Sequence, residues 1–207
     1  GRWGLGIAIL WTVLSLIVAA FLGPWGFAAG GVGLLLAWAY SAPPLRLKQN
    51  GWWGNAACGL CYEGLAWVTG AAVMAGGAMP ELRSLALALL YSVSAHGIMT
   101  LNDFKSVEGD RQMGIASLPV QLGVQGAART ACWVMIVPQL CVLGLLVMWQ
   151  PPLHAAAVGG LIALQLVLMR RFLQQPTERA IWYSGLRPVI LSASGMMAID
   201  DSAINTV

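Results

Sequence analysis

The chain has 207 residues, 58% of them hydrophobic and only 9% charged, with a mean hydropathy of +0.74. Soluble domains carry about 25% charged residues, so this chain cannot cover a water-facing surface, and its composition indicates a single polytopic α-helical membrane domain. The net charge of +3 is too small to point to a nucleic-acid partner.

In chain order, apolar runs fall at about 4–22, 27–40, 54–76, 82–101, 127–149, 154–173 and 186–199. A span needs roughly 20 apolar residues, so most of them qualify as transmembrane helices. The connections at 23–26 and 150–153 are tight and uncharged, whereas those at 41–53, 102–126 and 174–185 are longer and polar. With sides alternating, Arg2, Arg46, Lys48, Lys105, Arg111, Arg129, Arg170, Arg171, Arg179 and Arg187 share one side, and Arg83 stands on the other. Cationic loops stay in the cytoplasm, so the long polar connections are expected there. Trp3, Trp25, Trp52, Trp53, Trp149 and Trp182 lie near predicted interfaces, where indoles prefer to sit. The last run stops at Asp200 and Asp201 and is short for a span.

The connection "YSAPPLRLKQNGWWG", 40–54, supplies the phenol of Tyr40 and the cations Arg46 and Lys48. Taken alone, it reads as an ordinary basic anchor. In the third run, Cys58 and Cys61 have CxxC spacing, but there is no second pair or adjacent histidine, so packing in an apolar helix is the simpler reading. Tyr62 and Glu63 follow within the same run. A carboxyl at membrane depth faces a polar cavity or a hydrogen-bonding partner. His96, in the fourth run, is open to a structural or a ligating role.

The segment "LNDFKSVEGDRQMGIASLP", 101–119, is the longest polar island in the chain and begins where the fourth span ends. If its first turns are helical, Asp103 and Asp110 are seven apart and project from one face. Glu108 joins them if the chain bends at Gly109. With Asn102, these acids offer the hard oxygen ligands Mg²⁺ prefers, its other positions going to water and substrate phosphates. The plainer alternative is a solvated loop whose acids pair with Lys105 and Arg111. Cations on the 40–54 loop beside a metal-binding loop are what a diphosphate requires.

The stretch Asp103-x-x-Ser106-x-Glu108-x-Asp110 resembles the second aspartate-rich motif of the UbiA-type intramembrane prenyltransferases. Its wording "NDFKSVEGD", together with "YSAPPLRLK" and "GWWGNAACGLCYEGLAWVTGA", is similar to the (bacterio)chlorophyll synthase branch over about residues 1–185. The resemblance implies a nine-span bundle of which the seven runs here are the third to ninth. The first aspartate-rich motif would precede Gly1. It also implies Mg²⁺ as cofactor, held by Asp103, Glu108 and Asp110 with Asn102 beside them. Tyr40, Arg46, Lys48, Lys105, Arg111, Tyr62 and Glu63 would then contact the substrates.

The implied reaction transfers a geranylgeranyl or phytyl group from its diphosphate to the propionate of a (bacterio)chlorophyllide in a bacterial photosynthetic membrane. A metal-assisted departure of diphosphate needs no strong base, because the acceptor is already a carboxylate. With one of two metal loops, residues 1–207 alone are expected to insert but to transfer little. Two alternatives stand beside this reading: a prenyltransferase with a quinone or haem acceptor, and a pigment- or lipid-binding membrane protein without catalysis.

Overall fold

A computed structural model describes residues 2–149 and 152–185. Helix α1 (Arg2–Ala20) turns at Gly23 into α2 (Gly23–Ser41). Gly23 has φ +81°, and Pro24 starts the new helix, where its missing N–H costs nothing. Asn50 caps α3 (Gly51–Gly59), its side chain accepting from the N–H groups of Trp52 and Trp53. A π turn, Leu60–Leu65, joins α3 to α4 (Ala66–Met74), making one continuous span. Helix α5 (Leu82–Asp103) returns, and the short α6 (Val107–Gln112) follows. Helix α7 (Leu118–Trp149) is broken near its start by Gly123, at φ 71° and ψ 162°. Helix α8 (Pro152–Gln174) is followed by a helical stretch at 176–185.

The helices pack mainly against neighbours in sequence: α1 on α2, α2 on α4, α3 on α5, α5 on α7, and α7 on α8. The core lies between α5, α7 and α8, where Leu101, Met135, Val158 and Phe172 are fully or almost fully buried. Phe172 is stacked between Tyr183 and the edge of Phe104, tying α8 to the end of α5. Close helix contact requires a bare backbone at Gly59, whose added Cβ would stand 2.6 Å from the carbonyl oxygen of Ser92.

Five helical stretches are long and apolar enough to cross a membrane: 3–20, 51–74, 82–103, 118–149 and 152–174. The first is only 6% buried, so its side chains depend on lipid or other helices for cover. The six apolar runs between 4 and 173 all appear as helices, although α2, rich in glycine, is not among the five. The run at 186–199 lies outside the described residues. Among the described residues the protein is an all-helical membrane bundle, with one isolated backbone bridge between Asn50 and Ala116.

Candidate active site

The bridge explains how the two polar connections meet. Gly51 N–H donates to the carbonyl of Ala116 at 2.8 Å, and Ala116 N–H donates to Gln49 at 2.9 Å. The 41–53 and 104–117 loops are thus stitched backbone to backbone, which satisfies groups that neither helix can. Only glycine fits at the seam: a Cβ on Gly51 would lie 2.5 Å from the backbone nitrogen of Leu118. That same Leu118 N–H donates to Asp103.

Asp103 ends α5 and is held from a second side by Asn55, whose Nδ2 donates to Oδ2 at 3.0 Å. The Asn55 amide also lies 3.3 Å from Thr100 Oγ1, and Thr100 donates to the His96 carbonyl at 3.0 Å. The Asp103 carboxylate is therefore fixed by α3, α5 and the start of α7 together. Its field reaches Tyr40 and Cys58, which share a side-chain hydrogen bond. Tyr40, Cys58, Asn55 and Asp103 thus form one polar cluster where α2, α3 and α5 come together.

Asp110 is buried, 7% exposed, and accepts from Ser106 Oγ at 3.0 Å. It lies close enough to Asp103 for the two charges to act on one another. The expectation of one helical face is corrected here. Helix α5 ends at Asp103 and α6 is separate, so a turn at 104–106, not a seven-residue repeat, brings the two acids together.

Glu108 does not join them. It is exposed, pairing with Arg111 at 3.2 Å and accepting from Gln112 at 3.0 Å. Lys105 Nζ donates to Asn102 Oδ1 at 3.3 Å on the outer rim. Tyr62 is 72% exposed and Glu63 half-buried, both on the π turn. Arg46, in the left-handed backbone region at φ 42°, and Lys48 make no ion pair among the described residues. Among those residues no three His, Cys, Asp or Glu side chains converge on a single point.

Sequence reasoning missed Asn55, Cys58 and Ser106 as parts of this arrangement. Asn55 carried a signal, a lone amide in an apolar helix. Ser106 stands where the motif has its second aspartate and here donates to Asp110. Two carboxylates, near each other and free of cationic partners, fit a small hard cation, because Mg²⁺ usually takes one or two protein carboxylates.

The UbiA prenyltransferase family model matches residues 2–187. The chain is 55% identical to the bacteriochlorophyll synthase 33 kDa chain of Cereibacter sphaeroides over 95% of its length, and 48% identical to that of Rhodobacter capsulatus over 95%. It spans 65% of the length of each of these relatives. Chlorophyll synthase of Arabidopsis thaliana is 43% identical over 73% of this chain and 38% of its own. A solved structure described as digeranylgeranylglyceryl phosphate synthase in membranes superposes with a TM-score of 0.73 at 18% identity, covering 93% of this chain and 67% of that one, a likeness of fold. A family match over residues 2–187 places this chain in the UbiA prenyltransferase family.

Proposed function

We propose that this chain forms the larger part of an intramembrane prenyltransferase that moves a geranylgeranyl or phytyl group from its diphosphate to the propionate carboxylate of a (bacterio)chlorophyllide. The bond between the allylic carbon and the diphosphate oxygen breaks, and its electron pair leaves with the diphosphate. A carboxylate oxygen of the acceptor then bonds to that carbon, giving the pigment ester. The observation that carries the reading is the seam between Gly51 and Ala116. It sets the Asp103–Asp110 pair against the loop that bears Arg46 and Lys48.

Each residue has a task in this scheme. Asp103 and Asp110 would hold Mg²⁺, which when bound would neutralise the diphosphate and ease its departure. Asn55 and the Leu118 N–H orient Asp103, and Ser106 orients Asp110. Arg46 and Lys48, free of carboxylate partners, meet diphosphate oxygens by charge-assisted hydrogen bonds. Tyr40 lies beside Asp103, and Tyr62 and Glu63 on the π turn would contact the prenyl chain. Lys105 and Arg111 stand on the rim, where their charges attract incoming anions, with Asn102 and Glu108 as their side-chain partners.

The basic loops lie on the cytoplasmic face of the bacterial photosynthetic membrane, by the asymmetry of their charges. Identity to the named synthases favours a tetrapyrrole acid over a quinone or haem acceptor. The test uses membranes carrying the protein expressed from its complete reading frame, with geranylgeranyl diphosphate and Mg²⁺. Chlorophyllide should be esterified, and an aromatic quinol-type acceptor should not be prenylated. Prenylation of the quinol with no pigment ester would refute the assignment.

A further inference from the structure

A second feature stands apart from the aspartate pair. A cavity of about 700 Å³ opens between α3, α5 and α7. Its wall takes Trp52 and Ala56 of α3 and Leu60 at the start of the π turn, four residues apart and so in one stripe, with Trp53 beside them. Asn55 and Gly59, on the neighbouring stripe, instead meet α5 at Asp103 and Ser92. The α3–α5 contact therefore separates the cavity wall from the Asp103 carboxylate. Asn50 lies at the cavity's edge and is also the residue bridged to Ala116, so the cavity ends at the stitched loops.

The wall is unusually aromatic for its size. The Trp52 and His96 rings stand 5.7 Å apart at 36°, and Trp53 is 66% exposed. His96 Nε2 lies 3.2 Å from the Trp52 carbonyl, which holds the imidazole against the indole. His96 itself is 8% exposed, and its Nδ1 has no hydrogen-bond partner among the described residues. Ligand cavities run to about 300–1,000 Å³, are largely apolar and carry a few polar atoms. A saturated chain would find apolar cover here but would leave the stacking faces of two indoles and an imidazole unused. A flat conjugated ligand with heteroatoms at its centre and edge gains from all of them.

Charge points the same way: Arg46 and Lys48 lie on the loop leading to Asn50, and neither is paired with a carboxylate among the described residues. A ligand with a carboxylate at one edge is drawn to seat that edge toward the same loop, beside the diphosphate that those cations bind. We propose that the Trp52–Trp53–His96 cavity docks the macrocycle of the tetrapyrrole acceptor, its propionate edge turned to the loop seam. This rests on the acceptor assignment made above. It adds that macrocycle and diphosphate are held on opposite flanks of α3 and meet at the Asn50–Ala116 junction.

The test titrates chlorophyllide into the purified 207-residue chain in lipid nanodiscs, reading the red shift and induced circular dichroism of the pigment. Trp52→Leu and Trp53→Leu should each weaken binding roughly tenfold, because each removes a stacking face. Trp52→Phe, which keeps an aromatic face, should stay within about threefold of the unsubstituted chain. Trp11→Leu, on α1 and outside the cavity wall, should leave binding unchanged. Far-ultraviolet circular dichroism confirms that each variant folds.

Undiminished binding by a folded Trp52→Leu/Trp53→Leu double variant overturns the docking site. If the complete protein still forms pigment ester, the proposed function survives that result. Failure of the unsubstituted chain to bind pigment, with phospholipid retained in the cavity and released by the tryptophan changes, also overturns it and identifies a lipid site. Whether the complete protein esterifies chlorophyllide is read separately and judges the function itself.

Discussion

Asp103 shows how much a single side chain here depends on others. It sits at a helix end, yet its position is fixed by the Asn55 amide on α3 and the Leu118 N–H of α7. Replacing Asn55 by Leu removes a donor to a carboxylate, a bond worth about 1.5–3 kcal/mol. If Asp103 binds metal, Asn55→Leu should lower kcat for pigment esterification by roughly tenfold or more at saturating Mg²⁺. Unchanged turnover at every Mg²⁺ concentration would show that Asn55 does not position the site. The cations on the other loop make a different prediction. Arg46→Ala or Lys48→Ala should raise KM for prenyl diphosphate by about tenfold or more, with a smaller change for chlorophyllide, because each loses a charge-assisted hydrogen bond. Equal KM values for both substrates, in variant and wild type alike, would return these residues to the role of a basic anchor.

At the level of elements, the loop seam is where the sequence was least legible. The polar island and the 40–54 loop were each visible from composition. Their bridge was not, because a two-bond backbone contact has no side-chain pattern to announce it. The same limit applied to α6. The motif spacing suggested one continuous helical face, whereas a turn at 104–106 points Asp110 inward and leaves Glu108 to Arg111 and Gln112. The π turn at Leu60–Leu65 was equally hidden, since the hydrophobic run continues through it. Gly51 gives this scale its prediction. Gly51→Ala puts a methyl against the Leu118 nitrogen, and relief requires the loops to separate. Overpacking of this kind costs about 1–3 kcal/mol. The variant should insert normally, lose pigment esterification and become sensitive to protease within 104–117. Wild-type protease resistance and activity together would mean that the seam yields without consequence.

The whole bundle was the most legible level. All six apolar runs within the described residues are helical because hydropathy at span length leaves the backbone few other ways to satisfy its hydrogen bonds in lipid. Base asymmetry predicts the polar loops on the cytoplasmic side. A single cysteine introduced at Lys105 in a cysteine-free background should react with an impermeant maleimide only from the cytoplasmic face, and labelling from the opposite face would invert the topology. If Asp103 and Asp110, and not the acidic loop as a whole, bind the metal that carries the diphosphate, the carboxylates of this loop are not equivalent. The most direct measurement is pigment esterification by the complete protein with Asp103→Asn, Asp110→Asn and Glu108→Gln compared in parallel. Either aspartate change should cost about a hundredfold or more in kcat, close to 2.7 kcal/mol, with membrane insertion intact. Glu108→Gln, at an exposed position paired with Arg111, should stay within about threefold. Near-normal activity in both aspartate variants, or a loss at Glu108 as deep as theirs, would contradict the account.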